Sequence, residues 1–297
     1  MDNTQRIEAA LEAALAAQEG EGGPPRLAAA IRHAVFPGGA RIRPHLTLAV
    51  AQACGAEDLH LAAAAGSAIE LMHCASLVHD DLPCFDNAAT RRGRPSVFAA
   101  YGERLAVLVG DALIVSAFQS LGAAGATRPE RLAPLLATLA TGVAAPSGIV
   151  AGQAWECEPR VALTEYQRAK TGALFVAATV CGAQAAGAAA EPWRALGEWL
   201  GEAYQVADDI RDVAADPESL GKPVGQDATH GRPSSAAELG LSGAIQHFDQ
   251  LIAYASASIP ACRGSAQLRT LVRMESKRLV PVELTRRVAP SVTRVNA

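Results

Sequence analysis

Apolar residues recur along this chain mainly at helical spacing, and clusters of proline and glycine separate the runs. Residues 4–18 are predicted to form an amphipathic helix that the glycines and prolines of 19–25 end, and a second break falls at 36–39. A long helical run follows Pro44. Further helices are predicted at 61–81, 103–123, 132–144, 148–157, 163–186 and 193–213.

Two features of this pattern set the expected architecture. β-branched residues rarely alternate with polar ones at period two, which argues against an open sheet or a sandwich. No internal repeat and no shift in composition marks a domain boundary. We therefore expect an all-α protein in which residues 1–297 form a single domain, a large bundle of about ten helices. Residues 216–235, rich in Gly, Pro, Asp and Ser, are interpreted as a functional loop.

Composition agrees with a large helical core. Half of the 297 residues are hydrophobic, and Ala and Leu, both strong helix formers, dominate over aromatics at 4 %. A net charge of −4 gives no sign of a nucleic-acid surface. The N-terminal residues carry charges instead of an apolar signal segment, and Asp111 interrupts the best candidate for a membrane span. We expect a soluble, cytoplasmic protein.

The cysteines carry no recognisable framework. They are scattered, form no CxxC pair and lie mostly in apolar runs, at Cys54, Cys74, Cys84, Cys157, Cys181 and Cys262. We therefore expect reduced core thiols, with neither disulfides nor a zinc site.

An acidic cluster, HDDLPCFDN at residues 79–87, lies at the C-terminal end of the predicted helix 61–81. Pro83 lets the chain turn there, so that Asp86 can reach back toward Asp80 and Asp81. Three carboxylates beside a helix C-terminus repel one another and oppose the helix dipole. Alone, such a cluster fits a metal site or a solvated acidic turn equally well.

A second cluster, YQVADDIRD at residues 204–212, lies inside an apolar helix. Asp208 and Asp212 are four residues apart and therefore share a helix face, roughly 6 Å from each other. Two inward-facing carboxylates need a cation to offset their desolvation and repulsion, and hard oxygen ligands select Mg²⁺ or Ca²⁺ over zinc. The spacing of an EF-hand loop is absent. The two clusters together predict two walls of one metal site.

Cationic residues accompany the acidic ones at Arg41, Arg43, Arg91, Arg92, Lys170 and Lys222. Each alone is typical of a solvated surface charge. Together with carboxylate-bound Mg²⁺ they suit a polyanion such as diphosphate. The chain has neither a GxxxxGK[ST] nor a GxGxxG motif, so a nucleoside triphosphate or a dinucleotide has no obvious binding loop.

These segments, in this order, resemble the trans-polyprenyl synthase family over nearly the whole chain. The matching segments are PGGARIRP (37–44), HCASLVHDDLPCFDNAATRRG (73–93), GDAL (110–113), GQAWE (152–156), KTGALF (170–175), YQVADDIRD (204–212) and GKPVGQD (221–227). Two aspartate-rich motifs with these neighbours are a highly specific signal. Within the family the chain looks most similar to bacterial geranylgeranyl diphosphate synthases of carotenoid and photosynthetic-pigment pathways. The resemblance implies helices around a central cavity, and a homodimer.

The resemblance also implies a reaction, the Mg²⁺-dependent condensation of isopentenyl diphosphate with dimethylallyl, geranyl or farnesyl diphosphate to give geranylgeranyl diphosphate (C20). Of three Mg²⁺ ions, those at the first motif would be bound by Asp80 and Asp86 with Asp81 supporting them. The third would be bound by Asp208, with Asp209 and Asp212 holding its ordered waters. The allylic diphosphate would meet Arg91, Lys170 and Lys222, and isopentenyl diphosphate would meet Arg43, His73 and Arg92. Thr171 and Gln205 would steady the carbocation with their oxygen dipoles, and Gln153 would line the same cavity.

Three departures from the family's pattern bear on the substrates. Ala40 stands where most members have a lysine that binds isopentenyl diphosphate, and Arg41 is expected to substitute in part. Glu156 replaces the usual aspartate with a longer arm. In the later loop, Arg232 and Ser234 keep a charge and a hydroxyl where members have lysine and threonine. The metal ligands are all present, so we expect activity.

Ala75 and Ser76, five and four residues before Asp80, are expected to set the product length. With a rise of about 1.5 Å per residue, Ala75 lies roughly 7.5 Å below the metal site. Farnesyl-making relatives often place an aromatic residue there, whereas a small residue lets the chain grow to C20. Leu71 and Met72 are either lower stops or ordinary core residues.

Three alternatives remain. A farnesyl diphosphate synthase would share every motif and differ only in making a C15 product. A class I terpene cyclase shares the first motif, but its second would be an Asn/Asp–Ser/Thr–Glu set, whereas residues 208–212 are DDIRD. A non-catalytic partner subunit of a prenyl synthase typically loses an aspartate-rich motif, and this chain keeps both. The change at Ala40 keeps that last alternative open.

Overall fold

The computed structural model describes residues 1–20, 22–36, 38–160, 162–214 and 234–280. Its α-helices are α1 (Asn3–Ala16), α2 (Pro25–Val35), α3 (Ile42–Ala53), α4 (His60–Asp80), α5 (Val97–Tyr101), α6 (Glu103–Gly125), α7 (Pro129–Val143), α8 (Ile149–Ala154), α9 (Leu163–Gln167), α10 (Ala173–Ala186), α11 (Arg194–Ala214), α12 (Ser235–Ser258) and α13 (Ser265–Leu279). The chain is 3₁₀-helical at Trp155–Cys157 and Glu191–Trp193 and π-helical at Arg168–Gly172. Two-residue strands β1 (Thr90–Arg91) and β2 (Arg94–Pro95) form an antiparallel hairpin. The all-α prediction is confirmed.

The bundle is organised around α4. This helix has buried residues on all of its faces, as expected for a helix whose sequence is apolar all round. It packs most extensively on α6 and also contacts α3 and α10. A second extensive contact joins α11 to α12, and α10 touches both α4 and α11. One hydrophobic core therefore connects the described helices from α1 to α13. That residues 1–297 form one domain stays a prediction.

The predicted long helices are found close to their expected bounds, but the run at 163–186 is not one α-helix. It consists of α9, the π-helical segment and α10. The hairpin, α2, α5, α12 and α13 were not predicted. Residues 215–233, which hold nearly all of the predicted loop at 216–235, lie outside the described residues.

In the part of the chain that the structure describes, two helices, α4 and α6, are long and apolar enough to cross a membrane when judged by length and composition only. The apolar window of α4 is 89 % buried inside the protein, which identifies α4 as a core helix. The corresponding window of α6 is only 39 % buried. One face of α6 therefore carries apolar side chains at the surface.

Candidate active site

The first acidic wall is the C-terminal end of α4. Asp80 and Asp81 are buried there, at 6 % and 2 % exposure. The loop that follows folds back on them, because the Asp86 N–H donates to the Asp80 carbonyl at 2.9 Å and the Ala88 N–H donates to the Asp81 carbonyl at 3.1 Å. The prediction that Asp86 reaches back toward Asp80 and Asp81 is confirmed.

Asp80 is held by a neutral donor and faces a cation. Gln153 Nε2 donates to Asp80 Oδ1 at 2.9 Å and to the Ser76 carbonyl at 3.0 Å, and Lys170 Nζ lies 3.8 Å from Asp80 Oδ2. Burial raises the pKa of Asp80; Lys170 and the Gln153 hydrogen bond counteract this, and the charges of Glu156 and Asp86 reinforce it. The Asp80 carboxylate therefore pays a desolvation penalty that another cation would relieve.

Asp81 has its own cation, supplied by the hairpin. Arg91 donates to Asp81 Oδ1 from Nε at 3.0 Å and from Nη2 at 2.5 Å. Burial raises the pKa of Asp81, while the hydrogen bonds and the charge of Arg91 oppose that rise. Arg91 is thus placed beside the first wall, as predicted, but its contacts are with a carboxylate.

The π-helical segment joins the two walls. Lys170 lies near Asp80, and the next residue, Thr171, donates through Oγ1 to Gln205 Oε1 on α11 at 2.8 Å. A Cβ built on Gly152 of α8 would overlap the backbone of Lys170, so only glycine allows α8 to approach this closely. Single π-helical turns inside α-helices often occur at functional sites. The π-helical segment therefore contacts both of the helices that carry the acidic clusters.

The second wall is the C-terminal half of α11, where the three aspartates have different surroundings. Asp208 Oδ1 accepts from Arg211 Nη2 at 3.1 Å. Asp209 is buried, accepts from the Ser235 N–H at 2.7 Å and from Gln205 Nε2 at 2.9 Å, and has a pKa raised mainly by burial. Asp212 Oδ1 is buried, with no hydrogen-bond partner among the described residues. Asp209 thus binds the N-terminus of α12, and Asp212 keeps an oxygen available.

The donor set fits a hard divalent cation, although it does not enclose one. Among the described residues, no three acidic, histidine or cysteine side chains converge tightly enough to hold an ion by themselves. Mg²⁺ usually takes one or two protein carboxylates and completes its octahedron with water and substrate phosphate. The burial of Asp80, which Lys170 and Gln153 offset only in part, and the unpartnered oxygen of Asp212 match that mode of binding.

A cationic pocket lies beside the first wall. Arg43 is buried, with its guanidinium carbon 4.9 Å from the centre of the Phe175 ring and 5.8 Å from that of Tyr204. Within the described residues, neither Arg43 Nε nor His73 Nδ1 has a hydrogen-bond partner, and both atoms are buried. A Cβ on Gly39 would lie 3.0 Å from Arg92 Nη2, so the Arg92 guanidinium packs on the glycine loop.

The surroundings of His73 show that the pocket is positive. Burial lowers the pKa of His73 well below its usual range, and the charges of Arg43, Arg92, Arg91 and Arg41 lower it further. An imidazole kept neutral by several arginines, with buried donors left unpaired, suits an anion. Arg43, His73 and Arg92 are therefore brought together as predicted.

Arg41 does not join this pocket through its hydrogen bonds. It is buried, and it donates to Glu8 Oε1 at 2.9 Å, to Glu70 Oε1 at 3.0 Å and to the Val35 carbonyl at 2.9 Å. These contacts indicate a structural role that ties α1, α2 and α4 together. The expectation that Arg41 substitutes for the lysine missing at Ala40 finds no support in them.

Glu156 and Tyr166 form a contact that the sequence did not predict. Lys170 Nζ and the Tyr166 hydroxyl each donate to Glu156 Oε1 at 2.6 Å. Glu156 lies in the 3₁₀ turn after α8, and Tyr166 lies in α9. The sequence signal available was the tyrosine four residues before Lys170, which is the spacing of neighbours on one helix face.

Several predictions fall elsewhere. Lys222 and Arg232 lie outside the described residues. All six cysteines are free, as expected, but Cys84 and Cys157 are exposed, which corrects the view that the thiols lie in the core. Burial raises the pKa of Cys74 and of Cys181 to about 12. Cys84 is exposed because it lies in the turn between Asp81 and Asp86.

The structure does not test the predicted product tunnel. Ala75 and Ser76 are buried on α4, and the Ser76 hydroxyl donates to the His73 carbonyl at 2.8 Å. Two cavities of about 550 Å³ lie elsewhere, one lined by α7, α10 and α11 and the other by α1, α4 and α6, and neither is lined by Ala75 or Ser76. The role of these two residues in product length stays a prediction.

The fold is an all-α bundle in which two helices present carboxylates and cationic side chains lie near them. Such a set of side chains suits a polyanion bound through metal ions. The polyprenyl synthetase family model matches residues 24–258, and the chain belongs to that family.

Individual relatives match along nearly their whole length. The chain is 53 % identical to the geranylgeranyl diphosphate synthase of Cereibacter sphaeroides over 284 residues, covering 96 % of this chain and 99 % of that protein. It is 49 % identical to the geranylgeranyl diphosphate synthase of Rhodobacter capsulatus, covering 95 % and 98 %. The crystal structure of a geranyltransferase from Helicobacter pylori complexed with magnesium and isoprenyl diphosphate superposes with a TM-score of 0.77 at 30 % identity, covering 94 % of this chain and 98 % of that one.

Proposed function

We propose that this protein is a geranylgeranyl diphosphate synthase, a Mg²⁺-dependent prenyltransferase that joins isopentenyl diphosphate to allylic diphosphates and releases diphosphate. The observation that carries the proposal is the Lys170–Thr171 pair, which lies near Asp80 on one acidic wall and bonds to Gln205 on the other. The two relatives named as geranylgeranyl diphosphate synthases support the C20 product. We further propose that the enzyme is cytoplasmic.

The allylic diphosphate would bind between the two walls. Asp80 and Asp86 would hold Mg²⁺ on the first wall with Asp81 supporting them, and Asp208 and Asp212 would do so on the second, for three ions in total. Asp209 is reassigned to positioning, because protein donors occupy both of its oxygens. When bound, Mg²⁺ would neutralise the departing diphosphate.

The protein's own side chains would act around the breaking C1–O bond. Lys170 donates to the leaving diphosphate, joined by Arg91 and Lys222. The Thr171 hydroxyl bonds to Gln205 Oε1, which fixes both oxygen dipoles next to the allylic cation. Isopentenyl diphosphate is held by Arg43, His73 and Arg92, its double bond attacks the cation, and the released diphosphate takes the proton. The reaction would also need water to be excluded from the cation, which water would otherwise quench.

The activity is tested by incubating the purified protein alone with radiolabelled isopentenyl diphosphate and dimethylallyl, geranyl or farnesyl diphosphate, with and without Mg²⁺. A metal-dependent C20 product is expected. Asp80→Asn is the inactive control, and Asp249→Asn, an exposed aspartate on α12, is the matched active control. A C15 end point would replace the C20 assignment with a farnesyl synthase, and no product from any starter would favour a partner subunit.

Product length is tested at Ala75. The Ala75→Tyr variant should shorten the main product from C20 to C15, because a phenol ring would occupy the space roughly 7.5 Å below the metal site. Chain-length separation of the labelled products checks this, with Ala75→Ser as the control of similar size. An unchanged C20 product from Ala75→Tyr would move the stop elsewhere, to Leu71 or Met72.

We also propose a homodimer formed through α6. Large apolar side chains stand exposed along one face of this helix: Val107 at 44 %, Leu108 at 50 %, Val115 at 61 % and Phe118 at 36 %. An exposed apolar stripe of this kind marks a protein contact surface. Val115→Lys should convert the dimer to a monomer in light scattering after size-exclusion chromatography. A wild-type monomer would rule the proposal out.

A further inference from the structure

We propose that Tyr166 is a positioning residue that fixes the Lys170 ammonium for the allylic diphosphate by acting through Glu156. This inference rests on the proposed function, which assigns Lys170 to that diphosphate. Its basis is a shared acceptor, because the Tyr166 hydroxyl and Lys170 Nζ both donate to Glu156 Oε1, each at 2.6 Å.

All three side chains are largely removed from solvent. Tyr166 is 9 % exposed, and the side chains of Glu156 and Lys170 are 15 % and 20 % exposed. Hydrogen bonds to charged groups are stronger than neutral ones, and burial makes them costly to lose. The three groups therefore form a rigid unit instead of a screened surface ion pair.

The Tyr166 ring also flanks the ammonium directly. Lys170 Nζ lies 5.7 Å from the centre of that ring, within the range of a cation–π contact. Tyr166 precedes Lys170 by four residues, and the π-helical turn begins between them, at Arg168. The ring thus limits the ammonium on one side, and the carboxylate that the hydroxyl holds limits it on another.

This arrangement decides where the remaining Lys170 donors point. An ammonium has three N–H groups. One is used by Glu156, and Asp80 Oδ2 lies 3.8 Å away in the direction of the first wall. If Glu156 is free to turn, Lys170 can follow it away from the site. The Tyr166 hydroxyl prevents this, so the donors stay directed at the space where the diphosphate would bind.

The isopentenyl diphosphate pocket is built from other elements. Arg43 lies on α3, His73 on α4 and Arg92 after β1, whereas Glu156 follows α8 and Tyr166 lies on α9. A defect in Lys170 positioning should therefore affect one substrate and spare the other.

The test is Tyr166→Phe, which removes only the hydroxyl and keeps the ring. The KM for geranyl diphosphate should rise about five-fold, with the KM for isopentenyl diphosphate unchanged, as expected for loss of one charge-assisted hydrogen bond. Tyr254→Phe, at an exposed tyrosine on α12, is the matched control and should change neither KM. Equal increases in both KM values, or no change in either, would overturn the proposal.

A second variant shows whether Tyr166 acts through Glu156. Glu156→Gln should weaken geranyl diphosphate binding more than Tyr166→Phe does, and the double variant should be no worse than Glu156→Gln alone. Additive losses would contradict the mechanism. If Tyr166→Phe fails to fold, Glu156→Gln still tests the proposal. It must then raise the KM for geranyl diphosphate and leave the KM for isopentenyl diphosphate unchanged.

Direct binding separates this proposal from the function on which it rests. The probe is the thiolo analogue of geranyl diphosphate, measured by calorimetry with Mg²⁺ present. If the wild type binds the analogue but forms no product from any starter, the synthase assignment fails, and a five-fold weaker binding by Tyr166→Phe would still support the positioning role. If the wild type turns over and Tyr166→Phe binds the analogue as tightly as the wild type, the positioning role fails alone.

Discussion

On α4 the carboxylates of Asp80 and Asp81 are buried and already face protein cations, whereas on α11 Asp208 is more exposed and Asp212 keeps a buried oxygen without a partner among the described residues. The first wall is assembled before any metal arrives, since Arg91 and Lys170 offset the repulsion between its acids. On the second wall, Asp209 is held by Ser235 and Gln205 and Asp208 pairs with Arg211, whereas Asp212 Oδ1 has no partner among the described residues.

This difference suggests that the two walls contribute differently to the same reaction. Side chains that are already held in place lose little conformational freedom when a cation binds, so the first wall is preorganised. A carboxylate without a partner can still adjust to the ligand, as on the second wall. The first wall should therefore carry most of the transition-state stabilisation, and the second should contribute an adjustable ion. Substitutions made in matched pairs, one on each wall, test that distinction.

The largest effect is expected from Asp80→Asn compared with Asp208→Asn. Asp80→Asn should lower kcat/KM by at least about 10³-fold, because it removes a metal ligand and the charge that Lys170 faces at 3.8 Å. Asp208→Asn should cost about 10²-fold and raise the Mg²⁺ concentration needed for half-maximal rate. Steady-state kinetics over a Mg²⁺ series measures both. Equal losses would mean that the walls are equivalent.

The second wall contains its own contrast, between Asp209 and Asp212. Asp209→Ala should lower the free energy of unfolding by about 2 kcal/mol, because the buried Ser235 N–H and the Gln205 amide lose their acceptor. Asp212→Ala should leave the free energy of unfolding nearly unchanged and should instead raise the Mg²⁺ concentration needed for half-maximal rate. Urea unfolding in the absence of Mg²⁺ separates the two. A stability loss at Asp212 as large as that at Asp209 would contradict the assignment of Asp212 as the open ligand.

A smaller effect should come from the two arginines that pair with the walls. Arg91→Gln leaves Asp81 buried without its cation and should cost about 1–2 kcal/mol of stability, reduced from the value for a fully buried pair because the Arg91 side chain is 31 % exposed. Arg211→Gln breaks the pair with the 36 % exposed Asp208 and should cost about 0.5 kcal/mol or less. Similar losses for both would show that the burial of Asp81 does not strengthen its pair with Arg91 relative to the exposed Asp208–Arg211 pair.

The two helices that carry the acidic walls could be predicted from the sequence, whereas the π-helical segment that joins them could not. Long apolar helices and paired aspartates produce strong signals in period and charge, so α4, α11 and their acids could be predicted. The π-helical turn could not be, because residues 168–172 have the composition of an ordinary helix and the turn depends on packing against Gly152. The burial of Arg41 was equally hidden, since its partners Glu8 and Glu70 lie 33 and 29 residues away.

The smallest expected effect concerns His73, which lies in the cationic pocket beside the first wall. Its folded-state pKa is lowered by burial and by Arg43, Arg92, Arg91 and Arg41, so the unfolded chain binds the extra proton first as pH falls. The stability from the neutral imidazole is therefore present above the unfolded pKa of about 6.5 and is lost below it, by up to about 1 kcal/mol near pH 5.5. His73→Gln should flatten this part of the stability curve in urea titrations between pH 7.5 and 5.5, whereas the exposed His60→Gln should keep it. If His73→Gln loses as much stability as the wild type between pH 7.5 and 5.5, the lowered pKa of His73 is not the cause of that loss, and the isopentenyl diphosphate assignment loses this support.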